Sequence, residues 1–129
     1  MTMVYNCLAV GIGGCIGSLF RYGLSFLSIT GLFPAVTLCI NFAGAVIIGA
    51  VSETTGHFVD IEPRMNLFLK TGFCGGFTTF STFSLEVFTL LEKGRYVLGC
   101  TYIVASVLLC MLGVLIGKVF VRRLITGVF

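Results

Sequence analysis

Apolar residues dominate the chain in four long runs, separated by three short polar interruptions. The runs cover about Tyr5 to Leu27, Phe33 to Ser52, Met65 to Leu91 and Tyr96 to Phe120. Each is near the ~20 residues needed to cross hydrocarbon as a helix. Thr30, Gly31 and Pro34 mark the first turn, and Glu92-Lys93-Gly94-Arg95 closes the third run with a short polar turn. The second loop is read as Glu53 to Pro63 and carries three of the five acids. No repeat is visible, and there is no space for a soluble domain. The pattern predicts an all-α membrane protein of four transmembrane helices forming one domain over residues 1–129.

The third run is unlike the others. Residues 72 to 83 read Gly72-Phe73-Cys74-Gly75-Gly76-Phe77-Thr78-Thr79-Phe80-Ser81-Thr82-Phe83. Three glycines weaken the helix, and hydroxyl residues then alternate with phenylalanines. Backbone that leaves the helix at membrane depth must be buried in protein or line a wet cavity. A helix broken in mid-span therefore points to an ion or solute site, with the break expected at Gly75 and Gly76.

Composition agrees with a membrane location. Hydrophobic residues make up 57% of the 129, and only 10% are charged; an ordinary soluble domain has about 25% charged residues. Mean hydropathy is +1.11. The first run is too long and glycine-rich for a cleaved signal and is expected to be retained. Cys7, Cys15, Cys39, Cys74, Cys100 and Cys110 all sit in apolar surroundings, with no CxxC or Cys/His spacing. They read as small packing residues, not as metal ligands or a disulfide framework. His57 lies in the most polar loop and reads as a solvated residue.

An even number of spans puts both termini and the second loop on one side. That side holds Arg64, Lys70, Lys118, Arg122 and Arg123, against Arg21, Lys93 and Arg95 on the other. Five against three is a weak bias for the rule that orients membrane proteins. A chain with so little preference can insert both ways and pair with its own inverted copy. Small-residue steps at Gly13 and Gly17, Ala45 and Gly49, and Gly113 and Gly117 let helix backbones approach, within one subunit or between two.

Polar residues fall in stripes. Thr37, Asn41 and Ala45 share a face of the second span at four-residue steps. An unpartnered amide in lipid costs roughly 2–7 kcal/mol, so Asn41 must bond another helix or serve a passing anion. Tyr102, Ser106 and Cys110 repeat the spacing on the fourth span. On the third span, Thr79, Thr82 or Phe83, and Glu86 lie along one side, with Glu86 expected about one turn from the polar end. Glu86 is either functional or a snorkelling interface acid. Arg21 reaches an interface or an aqueous vestibule, where a cation gathers anions.

These side chains are neutral donors and aromatic rings. No carboxylate ring for cations and no potassium-filter pattern occurs in the sequence. A phenylalanine ring has a positive edge, and two such edges with Asn41, Ser81, Thr82 and Ser106 could replace the water of a small anion. Weak neutral coordination suits conduction. Carbonyls freed between Gly75 and Thr78 are hard ligands suited to a cation.

The third-span string resembles the signature of the Fluc (CrcB) fluoride channels. Asn41-Phe42-Ala43-Gly44 is similar to that family's Asn-x-x-Gly, and Gly13-Gly14-x-x-Gly17-x-x-x-Arg21-Tyr22 to its first-span pattern. The resemblance covers essentially the whole chain. It implies an antiparallel, dual-topology homodimer in the cell (inner) membrane, with two fluoride pores built from both subunits. It implies that Phe80 and Phe83 are ring-edge fluoride ligands and Asn41 a pore residue. Ser81, Thr82, Tyr102, Ser106 and Thr37 map to the polar track and its neighbours, with Glu86 beside them and Arg21 in the vestibule. Gly75 and Thr78 map to carbonyl ligands of a structural Na⁺ on the dimer axis that is not transported. Cys110 shortens the hydroxyl track of the fourth span.

The implied activity is passive fluoride export. The ion enters acidified cells as neutral HF, dissociates, and leaves down its electrical gradient. No enzymatic step, nucleotide or nucleic-acid partner is implied. Two other classes remain open at this point. A small dual-topology proton-coupled transporter of the multidrug-exporter kind would need an acid deep in a span, with Glu86 its one candidate. A non-conducting helical subunit would not need donor stripes on three spans.

Overall fold

The computed structural model describes residues 2–27, 31–57 and 62–127. Thr30 of the first turn, and residues 58–61 of the second loop with Asp60, lie outside the described residues. Every regular element among the described residues is helical. Helix α1 is Thr2–Ser25 and α2 is Ala35–His57. The third span begins with three helical pieces, Pro63–Asn66, Leu67–Cys74 and Gly75–Phe77, here together α3. It continues after a break as α4, Phe80–Glu92. Helix α5 is Tyr96–Thr126.

Three helices, α1, α2 and α5, are each long and apolar enough to cross a membrane. The third span, being broken, contributes no single helix of that length. The chain is a multi-pass membrane protein. Both α2 and α5 run further than the apolar pattern suggested, because their last turns are polar and packed together. Glu53, read as the start of a loop, lies inside α2 and is 6% exposed. Its carboxylate accepts a hydrogen bond from Arg122 Nε at 2.7 Å, with Lys118 Nζ at 3.7 Å and His57 Nε2 at 3.2 Å. Partnered in this way, the acid can stay in the helix beyond the apolar run. His57 is exposed as expected, though it is tied to Glu53.

The helices pack in two pairs whose members run in the same direction. Along α1 and α3, the Arg64 guanidinium carbon lies 5.1 Å from the Tyr5 ring centroid. Further on, Gly13 abuts Phe68 and Phe73, Gly17 abuts Phe73 and Phe77, and Arg21 reaches Gly76. Along α2 and α5, Gly113 abuts Phe42, Gly117 abuts Val46, and Arg122 meets Glu53. Between the pairs the direction reverses: Asn41 meets Thr79, and Thr37 meets Glu86. This alternation places Glu53, Arg64, Lys118 and Arg122 at one end of the bundle.

The small-residue steps act inside the subunit. A Cβ on Gly13 or Gly17 would collide with backbone of α3, and one on Gly49 or Gly117 with backbone across the α2–α5 contact. Gly72 and Gly76 seat α3 against α1 in the same way, a Cβ on Gly72 lying 2.8 Å from the Val10 carbonyl. Four cysteines, Cys7, Cys15, Cys39 and Cys100, are exposed on the protomer, while Cys110 is partly buried and Cys74 buried. The outward surface is rich in Leu, Ile, Val and Phe, as a lipid-facing surface requires.

The break does not fall at the glycines. Gly75 has φ −65° and ψ −37° and stays right-handed helical. Positive φ occurs, among the described residues, only at Gly94 and Gly127. The backbone leaves the helix at Thr78 (φ −83°, ψ 157°) and Thr79 (φ −145°, ψ 102°). Both are β-branched, a class suited to extended backbone. Thr79 then caps α4, its hydroxyl accepting from Thr82 N at 3.2 Å. Ahead of the break, Leu67–Cys74 is wound as a π-helix, a form that recurs at functional sites.

Candidate functional site

The break is held open by Asn41. Its Oδ1 accepts from Thr79 N at 2.8 Å, and its Nδ2 donates to the Thr79 carbonyl at 3.3 Å. An asparagine side chain thus takes the place of a strand neighbour for the extended segment. Among the described residues, one N–H of the amide has no partner. Bonding to another helix and serving a passing ion are therefore compatible roles for Asn41.

The capping pattern strips two carbonyls of their usual partners. The amide that would close the helical bond to Gly75 O belongs to Thr79, and it goes to Asn41. The amide that would serve Thr78 O belongs to Thr82, and it goes to the Thr79 hydroxyl. By contrast, Cys74 O accepts from both Thr78 N at 3.0 Å and Thr78 Oγ1 at 2.9 Å. Gly76 O is taken by Arg21 Nε at 3.2 Å and Ser18 Oγ at 3.4 Å. Arg21, expected at an interface or vestibule, is thus anchored to the carbonyl end of α3.

A groove of about 380 Å³ runs beside the break. Asn41, Gly44, Ala45 and Ile48 of α2 form one wall; Lys70, Cys74, Gly75 and Thr78 belong to the third span. Ser106, Val107, Cys110 and Val114 of α5 line it too, and Phe80 and Phe83 lie at the start of α4. Asn41, Phe80, Phe83, Ser106, Gly75 and Thr78, which the sequence singled out separately, meet in this groove. The Phe80 and Phe83 ring centroids are 5.5 Å apart at a 46° tilt. Phe83 is 9% exposed and Phe80 79%. One ring is built into the protomer, while the other projects from it.

Ser106 is the most telling donor. It is 7% exposed, and its Oγ has no hydrogen-bond partner among the described residues. Buried hydroxyls normally find one. Here the residue that carries the hydroxyl lines the same groove as Asn41.

Thr37, Tyr102 and Glu86 form a second cluster behind Phe83. Thr37 Oγ1 donates to one Glu86 oxygen at 2.7 Å, and the fully buried Tyr102 donates to the other at 2.8 Å. The Tyr102 ring meets Phe83 edge-to-face at 5.0 Å and Phe33 at 5.4 Å. Glu86 lies six residues before Glu92, nearly two helical turns from the end of α4. It is deeper than the one turn expected, and its two donors account for the depth. The Thr82 hydroxyl accepts from Thr79 Oγ1 at 2.8 Å. Ser81 is exposed, 3.4 Å from the same Thr79 oxygen.

Sequence reasoning missed Lys70 as a member of the site, treating it only as a charge for topology. The signal available was a lone lysine five residues inside an apolar run that begins at Met65. It also missed Thr79 as the pivot, although a threonine ahead of a helix-forming run is a capping signal.

Comparison with known proteins fits this geometry. Relatives named fluoride-specific ion channel FluC occur in Ruminiclostridium cellulolyticum (41% identity, covering 96% of this chain and 98% of the relative) and in Rhizobium meliloti (46%, 93% and 98%). A Bacillus subtilis relative named fluoride-specific ion channel FluC 2 is 46% identical, covering 93% of this chain and 89% of its own. The family model described as CrcB-like protein, Camphor Resistance (CrcB), matches residues 8–118. That match contains the capped break, the groove and both glycine-packed helix pairs, and the chain belongs to the CrcB family.

Proposed function

We propose that this protein is a fluoride-selective channel that lets F⁻ leave the cell passively across the cell (inner) membrane. The observation that carries the reading is the buried Ser106 hydroxyl, unpartnered among the described residues, on a residue that lines the groove with Asn41, Phe80 and Phe83. These groups offer hydrogen-bond donors and positive ring edges without a full charge at that point, which is weak coordination suited to a dehydrating anion in transit. The names and extent of similarity of the relatives support fluoride as the ion. Thr37, Ser81, Thr82, Tyr102 and Glu86 flank the route, and Arg21 steadies the broken helix.

The working unit is an antiparallel homodimer with two pores. Its support is the open groove, the 79% exposure of Phe80 and the near-even charge of the two ends. A second, inverted copy would cover Phe80 and complete the wall that one protomer lacks. Gly75 and Thr78 carbonyls, both left without helical amides, suit a structural Na⁺. Two from each copy would give it hard oxygen ligands. The ion would supply positive charge that ties the two broken helices together.

Fluoride and chloride efflux from proteoliposomes containing only this chain tests the reading. A potassium ionophore is added to release the opposing voltage. Fluoride should leave rapidly with chloride near background. Equal chloride efflux would overturn selectivity, and substrate uptake driven only by an imposed pH gradient would point to a proton-coupled transporter.

A further inference from the structure

Lys70 lines the same groove as Ser106, at the opposite end from the phenylalanines. It precedes Thr78 by eight residues, about 12 Å of helix. Because α3 runs against α2 and α5, this end is walled by Ile48 and Val114. The donors thin out there. On α5 the groove continues from Ser106 to Val107, Cys110 and Val114, none of which offers a strong N–H or O–H. On α3, the Thr78 hydroxyl is spent on Cys74 O. Lys70 is partly buried and, among the described residues, makes no ion pair; the acids that do so are Glu53 and Glu62.

Resting on the fluoride reading, we infer that Lys70 is a specificity-determining cation of the conduction path. Its ammonium takes over where the hydroxyl track of α5 stops, drawing the anion through the apolar end of the groove and rejecting cations. A compact charge on a flexible stem can follow a small ion over several ångströms. Low-dielectric walls focus its field along the groove, so that it raises the local concentration of anions. The π-helical winding of Leu67–Cys74 contains Lys70 and sets its position on the groove side.

The test is fluoride efflux from proteoliposomes for wild type, Lys70→Arg, Lys70→Met and Lys70→Glu, each at a series of fluoride concentrations. All four samples are first shown to have the same size in detergent. Lys70→Arg, which keeps the positive charge, should stay closest to wild type of the three variants. Lys70→Met should raise the half-saturating fluoride concentration on the order of tenfold with a smaller effect on maximal rate, and Lys70→Glu should raise it further. That charge order in half-saturating concentration, in samples of equal size, supports the proposal, since a packing role would reduce the amount of intact protein and leave half-saturation where it is. Wild-type behaviour in both Met and Glu variants would overturn it and leave Lys70 as a membrane anchor. Equal loss in all three variants, Arg included, would also overturn it. Failure of wild type itself to pass fluoride would remove the underlying reading along with this one.

Discussion

Asn41 and Thr79 bond each other in both directions, amide to backbone, across the α2–third-span contact. The pair makes the helix break a property of two spans rather than one. Removing the Asn41 side chain should leave two partly buried backbone groups unsatisfied. Asn41→Leu is expected to destabilise the protein by about 2–6 kcal/mol, at about 1–3 kcal/mol for each group left unsatisfied. Asn41→Asp keeps the acceptor for Thr79 N–H but faces a second oxygen toward the Thr79 carbonyl. It should lose fluoride flux as fully as Leu does. Thermal unfolding in detergent and liposome efflux, measured on the same preparations, check both statements; an Asn41→Leu protein of normal stability would sink the capping argument.

Phe80 and Phe83 are three residues apart yet differ in exposure, 79% against 9%. Replacing each by Ile should therefore separate stability from function. Phe83→Ile disturbs the packed edge of Tyr102 and should cost roughly 1–3 kcal/mol, as shape changes in a packed core do. Phe80→Ile should cost the isolated protomer almost nothing. Flux should nevertheless fall steeply in both, because each loses a ring edge. Full flux in Phe80→Ile would show that this ring is no ligand.

The sequence was most legible where one residue type has one physical use. Three of the four apolar runs are single helices long enough to cross a membrane, and the glycine steps are close backbone approaches. The site was legible residue by residue, since Asn41, Ser106 and the phenylalanines are polar or patterned exceptions in apolar helices. The position of the break was not legible. Gly75 and Gly76 advertise flexibility, but glycine permits a break without requiring one. Gly76 is used instead for contact with α1. The bond that fixes the break comes from Asn41, 38 residues away in the chain, and no local pattern contains it. Glu53 escaped for a similar reason: its partners Lys118 and Arg122 lie on another helix.

Glycine substitutions should grade by what a Cβ would strike. Gly17→Ala and Gly117→Ala place a methyl against backbone of the neighbouring helix, which cannot move aside as a side chain can. Overpacking of this kind costs typically about 1–3 kcal/mol. Gly11 meets nothing within 4 Å, and Gly11→Ala should be neutral or slightly stabilising, since alanine favours helix by up to ~1 kcal/mol. Size-exclusion profiles of the three variants provide the check. Aggregation of Gly11→Ala with normal behaviour of Gly17→Ala would contradict the helix pairing described above.

Ser106 gives the sharpest separation of folding from conduction. Most buried hydroxyls are bonded, and removing one leaves a partner stranded, at a cost of about 1–3 kcal/mol. Ser106 Oγ has no partner among the described residues, so Ser106→Ala strands nothing there and removes a polar atom from an apolar wall. The variant should unfold at the same temperature as wild type or slightly above it. Flux should fall all the same, because the groove loses the donor that lies between Phe83 and the hydroxyl-free stretch toward Val114. Ser106→Thr retains the hydroxyl and should conduct better than Ala even if its added methyl crowds the groove. A loss of stability in Ser106→Ala would mean that the hydroxyl serves the fold. Unchanged flux in a stable Ser106→Ala protein would mean that the ion does not use it.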